Sequence, residues 1–133
     1  MTLVVVPVRY PLSEHSRVTL EHAIGVADEH DATLTVLHVN LFQESRKVTR
    51  TDLKRAVQRE FGRLPNARYV VRGGFLLEET ILEEVAAEGA DIVVIGAKQA
   101  GRWRRMFRNL LSDPDIDEYL REQLDATVVT VDF

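Results

Sequence analysis

Two glycines separated by four residues, Gly96-Ala97-Lys98-Gln99-Ala100-Gly101, follow an apolar run, the spacing with which a backbone can wrap a phosphate. Arg102-Trp103 stand where a P-loop needs Lys and Ser or Thr, so magnesium and terminal phosphates would lack partners; no G-x-G-x-x-G occurs. Arg9, just behind the first apolar run, joins Lys98 and Arg102 as cations able to hold an anion through charge-assisted hydrogen bonds. Catalytic patterns are missing. Ser, His and Asp are present without a nucleophile elbow, and Glu78, Glu79, Glu83 and Glu84 fall on helix positions where solvation explains them. His15 and His22 lie two helical turns apart, ~10 Å, too far to share a metal alone, and His30 follows near the end of the same helix. His38, within an apolar run, reads as a packed, hydrogen-bonded side chain. With no cysteine, disulfides, thiolate metal sites and thiol nucleophiles are excluded. The chemistry expected is therefore anion binding, with no catalytic residues, metal or tightly held cofactor.

The elements that must position these residues follow from periodicity. Apolar runs at Leu3–Val8, Thr33–Val39, around Tyr69–Val71, Asp91–Gly96 and Thr127–Val131 read as five strands. Helical spacing links them. Ser13 can cap a helix reaching about Glu29, striped by Leu20, Ala23, Ile24 and Ala27; Thr51 is expected to cap Asp52–Phe61, which Gly62 ends. Gly73-Gly74 is expected to break the third strand, Leu77–Glu88 forms a helix stopped by Gly89, and Asp113-Pro114 reads as the start of a last helix. Strands that are apolar throughout, separated by amphipathic helices, predict a doubly wound α/β fold with a parallel sheet covered on both faces. At 133 residues with no linker-like stretch, one domain over 1–133 is expected. In such a sheet ligands bind beyond the carboxyl ends of the strands, where strand order reverses.

Two basic groups stand out. From Lys98 to Leu111, Trp103, Met106, Phe107, Leu110 and Leu111 take one helical face and Arg102, Arg104, Arg105 and Arg108 the other. Arg46, Lys47, Arg50, Lys54, Arg55, Arg59 and Arg63 straddle the second helix without interleaved aromatics, which reads as a solvated face rather than a nucleic-acid surface. The net charge of −4 predicts no bulk affinity for nucleic acid or anionic membrane. The first residues lack a basic stretch ahead of their short apolar run, and no run approaches the ~18 residues of a membrane span. A cytoplasmic location is the expectation.

Val4-Val5-Val6-Pro7-Val8 with Ser13-Glu14-His15-Ser16, Leu34-Thr35-Val36-Leu37-His38-Val39, and Glu79-Thr80-Ile81-Leu82 running into Gly89-Ala90-Asp91-Ile92-Val93-Val94-Ile95-Gly96 together resemble the universal stress protein family. The resemblance covers essentially the whole chain. It implies a five-stranded parallel Rossmann-like sheet of order 3-2-1-4-5, a stress-response or regulatory role, and a homodimer paired through the last strand, Thr127, Val128, Val129, Thr130 and Val131. It also implies a cleft formed by Arg9, Val39, Gly96, Lys98, Gly101, Arg102 and Asn109. Members that bind ATP carry an acidic residue after the first strand, and Gly-x2-Gly-x9-Gly-Ser/Thr after the fourth. Here the acidic position is Arg9, Gln99 stands at the second glycine with Gly101 two residues late, and Asn109-Leu110 (or, slipped by one, Arg108-Asn109) replaces the last pair. Losing two charge-assisted contacts at roughly 1.5–3 kcal/mol each weakens affinity about a hundredfold or more. The resemblance thus implies a non-enzymatic binding protein that lacks tight ATP binding and takes an anionic ligand or acidic partner. An ATP- or AMP-binding sensor, or a weak ATPase with altered phosphate contacts, is the second implication. For Arg9 two roles stand open: recognising an anion with Lys98 and Arg102, or filling the cleft through an ion pair.

Overall fold

The computed structural model describes residues 1–108 and 125–132. Chain order is β1 (Leu3–Pro7), α1 (Glu14–Glu29), β2 (Thr33–Leu41), α2 (Arg50–Phe61), β3 (Ala67–Gly74), α3 (Leu77–Glu88), β4 (Ile92–Gly96), α4 (Ala97–Arg108) and β5 (Thr127–Val131). The strands form one sheet, ordered β3-β2-β1-β4-β5, in which every pairing is parallel. The expected topology is the observed one. The expected helix behind Asp113-Pro114, and Asn109, lie outside the described residues.

Side chains on a strand alternate between faces, and here both faces are apolar because helices cover both. Val4, Val6, Leu34, Val36 and Val94 join Leu20, Ala23 and Ala27 of α1 and Leu53 and Val57 of α2 in one buried layer. Val5, Leu37, Val39, Val93 and Ile95 join Ile81 and Val85 of α3 and Ala100 and Trp103 of α4 in the other. Trp103 has no exposed surface, so the arginine-rich helix is anchored through its apolar stripe as the periodicity required. Helix α3 is tied to the sheet by polar bonds as well. Arg72 pairs with Glu84 at 2.6 Å and Arg68 with Glu88 at 2.6 Å. Thr35, fully buried, donates its hydroxyl to the same Glu88 oxygen at 2.8 Å.

Two local expectations need correction, and one boundary moves by a residue. Strand β3 runs through Gly73-Gly74 instead of stopping there, and β2 extends to Leu41 beside it. The glycines serve packing rather than a turn. A Cβ on Gly73 would strike the Phe42 ring and one on Gly74 the Thr80 hydroxyl. The helix expected from Lys98 begins one residue earlier, at Ala97; Ala, Lys and Gln favour helix, and no breaker precedes Gly101. Lastly, α2 is capped by Thr49, whose hydroxyl accepts from the Asp52 N–H while the Asp52 carboxylate accepts from the Thr49 N–H. Thr51 lies inside the helix. We expect Thr49→Ala to cost about 1 kcal/mol and Thr51→Ala less than about 0.5 kcal/mol; chemical denaturation measures both, and equal losses would contradict the assignment.

Candidate functional site

Strand order reverses between β1 and β4. The helices leaving their carboxyl ends depart to opposite faces, α1 onto one layer and α4 onto the other, so a crevice opens between them. A cleft of about 540 Å³ occupies this place, within the roughly 300–1,000 Å³ typical of small-molecule sites. Its walls come from the end of β1, the first turns of α1 and α4, the end of β2 and the start of α3.

The β1 side is held by a chain of hydrogen bonds. Ser13 caps α1 by accepting the Ser16 N–H at 3.1 Å, and the Ser16 hydroxyl accepts the Arg9 N–H at 2.9 Å. This fixes the Arg9 backbone against the first turn of α1 and leaves the Arg9 side chain exposed at the cleft. Ser13, Ser16 and Thr19 bring hydroxyls to the same wall, and Glu14 brings one carboxylate. On the β4 side Gly96, Lys98, Gln99 and Arg102 line the cleft. Among the described residues neither Arg9 nor Lys98 has a side-chain ion-pair partner. Arg102 does have one: its Nε donates to Glu78 of α3 at 2.9 Å and its Nη2 to the Gln99 side-chain oxygen at 3.2 Å. The remaining wall, Leu37, Val39, Leu77 and Ile81, is apolar.

Five of the residues singled out in the sequence therefore meet at one place: Arg9, Val39, Gly96, Lys98 and Arg102. Gly101 does not line the cleft, since it sits in the second turn of α4. The hydroxyl cluster and Leu37, Leu77 and Ile81 of the apolar wall are what sequence reading missed. Ser13 and Ser16 were visible as a helix start, and that capping role conceals their place at the cleft. Thr127–Val131 forms the edge strand of the sheet, paired on one side to β4. Among the described residues no group of three or more His, Asp or Glu is placed to hold a metal ion, and no helix is long and apolar enough to cross a membrane.

His38, at the floor of the cleft, packs edge-on against Tyr10 and contacts the Val8 carbonyl through Nδ1 at 3.2 Å. Since a carbonyl only accepts, Nδ1 carries the proton there. Burial lowers the His38 pKa, outweighing the Val8 and Asn40 hydrogen bonds and the Glu44 charge that raise it.

Solved structures share this architecture. A universal stress protein from Lactobacillus plantarum superposes with a TM-score of 0.63 at 20% identity, covering 98% of this chain and 97% of that one. A universal stress protein crystallised in complex with cAMP gives 0.58 at 18% identity over 98% and 96% of the two chains. A third, from Archaeoglobus fulgidus, gives 0.62 at 18% identity, covering 98% of this chain but 43% of that one. No family model and no curated protein matches the chain. The likeness establishes a class, the doubly wound α/β proteins with a cleft at the sheet's switch point. Within that class, the fold is the one universal stress proteins adopt.

Protonating His38 is disfavoured in the folded state, so its folded pKa lies below the unfolded value of about 6.5. Stability from this group is complete above that value and falls as pH drops through the window beneath it. NMR titration of the His38 ring should give a midpoint below 6.5, and His38→Asn should flatten the acid limb of stability against pH. A midpoint at or above 6.5 would contradict the desolvated ring.

Proposed function

We propose that this chain is a non-enzymatic, regulatory binding protein of the universal stress type, acting in the cytoplasm and taking an anionic small molecule in the cleft between β1 and β4. One observation carries the reading. Arg9 and Lys98, from different strand ends, flank a single cleft without ion-pair partners among the described residues. The amino ends of α1 and α4 open onto the same space, and helix amino ends favour negative charge. Among the described residues Ser13 and Ser16 are engaged in capping and in holding the Arg9 backbone, which supports a binding role for this wall.

A nucleotide is the chemical class that best uses all the walls. The apolar side at Leu37, Val39, Leu77 and Ile81 suits a base, and the cationic side a phosphate. The solved relative of this fold in complex with cAMP supports that class. The reading includes a homodimer through β5, whose outer edge is unpaired among the described residues.

Melting curves with cyclic AMP, AMP, ATP, phosphate and sulfate test the cleft. At least one anion should raise the melting temperature, and Arg9→Gln or Lys98→Gln should weaken its binding about tenfold, one charge-assisted contact. No shift with any of them would remove the reading. Sedimentation at micromolar concentration should show a dimer; a monomer would overturn the β5 pairing.

A further inference from the structure

Arg102 looks in the sequence like a third cation for the ligand, but its contacts give it another task. Its Nε donates to the Glu78 carboxylate at 2.9 Å, so an adjacent negative charge compensates the guanidinium. Both side chains are partly sheltered, Arg102 at 39% and Glu78 at 20% exposure, so solvent screens the pair incompletely. The Arg102 Nη2 donates at 3.2 Å to the Gln99 oxygen one turn earlier on α4. That bond decides which way the Gln99 amide faces, because only its oxygen can accept from a guanidinium. The Gln99 nitrogen is thereby left buried and without a hydrogen-bond partner among the described residues, on a side chain of the cleft wall. A buried amide with two N–H donors and no acceptor is unfavourable until something supplies one.

We propose that Glu78, Arg102 and Gln99 form a specificity relay that commits the cleft to a ligand carrying one negative charge, such as a phosphodiester, over a polyphosphate. This rests on the cleft reading above and deepens it. Glu78 cancels the Arg102 charge, and Arg102 fixes Gln99. Gln99 then offers neutral N–H donors where a nucleotide phosphate oxygen can accept them. Among the described residues the charges left on the walls are Arg9 and Lys98 against Glu14, a net of one positive charge. One phosphodiester matches that; a triphosphate leaves most of its charge uncompensated in a partly desolvated site. Gln99 is then a recognition residue, and Glu78 and Arg102 are positioning residues.

Cyclic AMP and ATP share the adenosine and differ in phosphate charge, so their affinity ratio isolates the relay. By calorimetry the wild type should bind cyclic AMP more tightly than ATP. Glu78→Gln keeps an acceptor for the Arg102 Nε but removes the cancelling charge. It should tighten ATP binding about tenfold or more, the factor that 1.4 kcal/mol carries, and change cyclic AMP binding less than about threefold. Gln99→Ala, free of any charge change, should weaken cyclic AMP binding about fivefold or more, the low end of one buried hydrogen bond. If the wild type binds cyclic AMP and Glu78→Gln leaves the ratio unchanged, or the wild type prefers ATP, the relay is wrong and the cleft reading stands. If neither nucleotide binds either protein, the relay falls, and the cleft reading is then decided by AMP, phosphate and sulfate in the melting curves.

Discussion

The parallel pairing of β1 with β4, Val4 beside Ile92 and Val5 beside Val93, is the constraint on which the rest depends. It joins two halves of the chain that wind in opposite directions across the sheet. A right-handed crossover from β1 carries α1 to one face, and the crossover from β4 carries α4 to the other. No side chain has to hold the cleft open between them, because no helix can cover both departures. Buried valines at the strand centres fix the pairing, and the polar residues at the strand ends inherit their positions from it.

What those ends do with their position is a matter of charge placement. A glycine-rich turn cradles phosphate with backbone N–H groups that are free because the chain is not yet helical. Here the helix starts directly at Ala97, so the N–H groups from Gly101 onward point into helical bonds. In the function proposed, recognition falls to side chains that line the cleft: Lys98 and Gln99 in the first turn, Arg9 across the cleft, and hydroxyls of α1. The shift has an electrostatic consequence. A loop of amides binds several phosphates by adapting to them, whereas two cations and one oriented amide would define a narrower charge. Glu78 would reinforce this by pairing with Arg102, a further cation at the cleft among the described residues.

Most of the fold was legible in the sequence because both sheet faces are buried. Val4-Val5-Val6 and Val93-Val94-Ile95 read as strands without ambiguity, and Leu77–Glu88 was legible to the residue because its helical stripe ends at Gly89, which adopts a left-handed φ of 65°. The misreadings were places where a long-range contact outranked a local signal. Gly73-Gly74 punctuates most sequences; here Phe42 and Thr80 occupy the space their side chains would need. The cap of α2 was misread locally: Thr51 was expected there, and Thr49 takes the place because Asp52 completes a box with it. At the site, Arg9 and Lys98 were legible as cations behind strands. The pairing of Arg102 with Glu78, 24 residues away on another helix, was not, and it reverses the role Arg102 was expected to play.

The central claim is that the space between the ends of β1 and β4 receives an anion. Backbone amide NMR during titration with cyclic AMP tests it most directly. Saturable shifts confined to Arg9, Ser13–Ser16 and Gly96–Gln99, with α2 unmoved, are the predicted result. Shifts gathered elsewhere, or none at millimolar ligand, would contradict it.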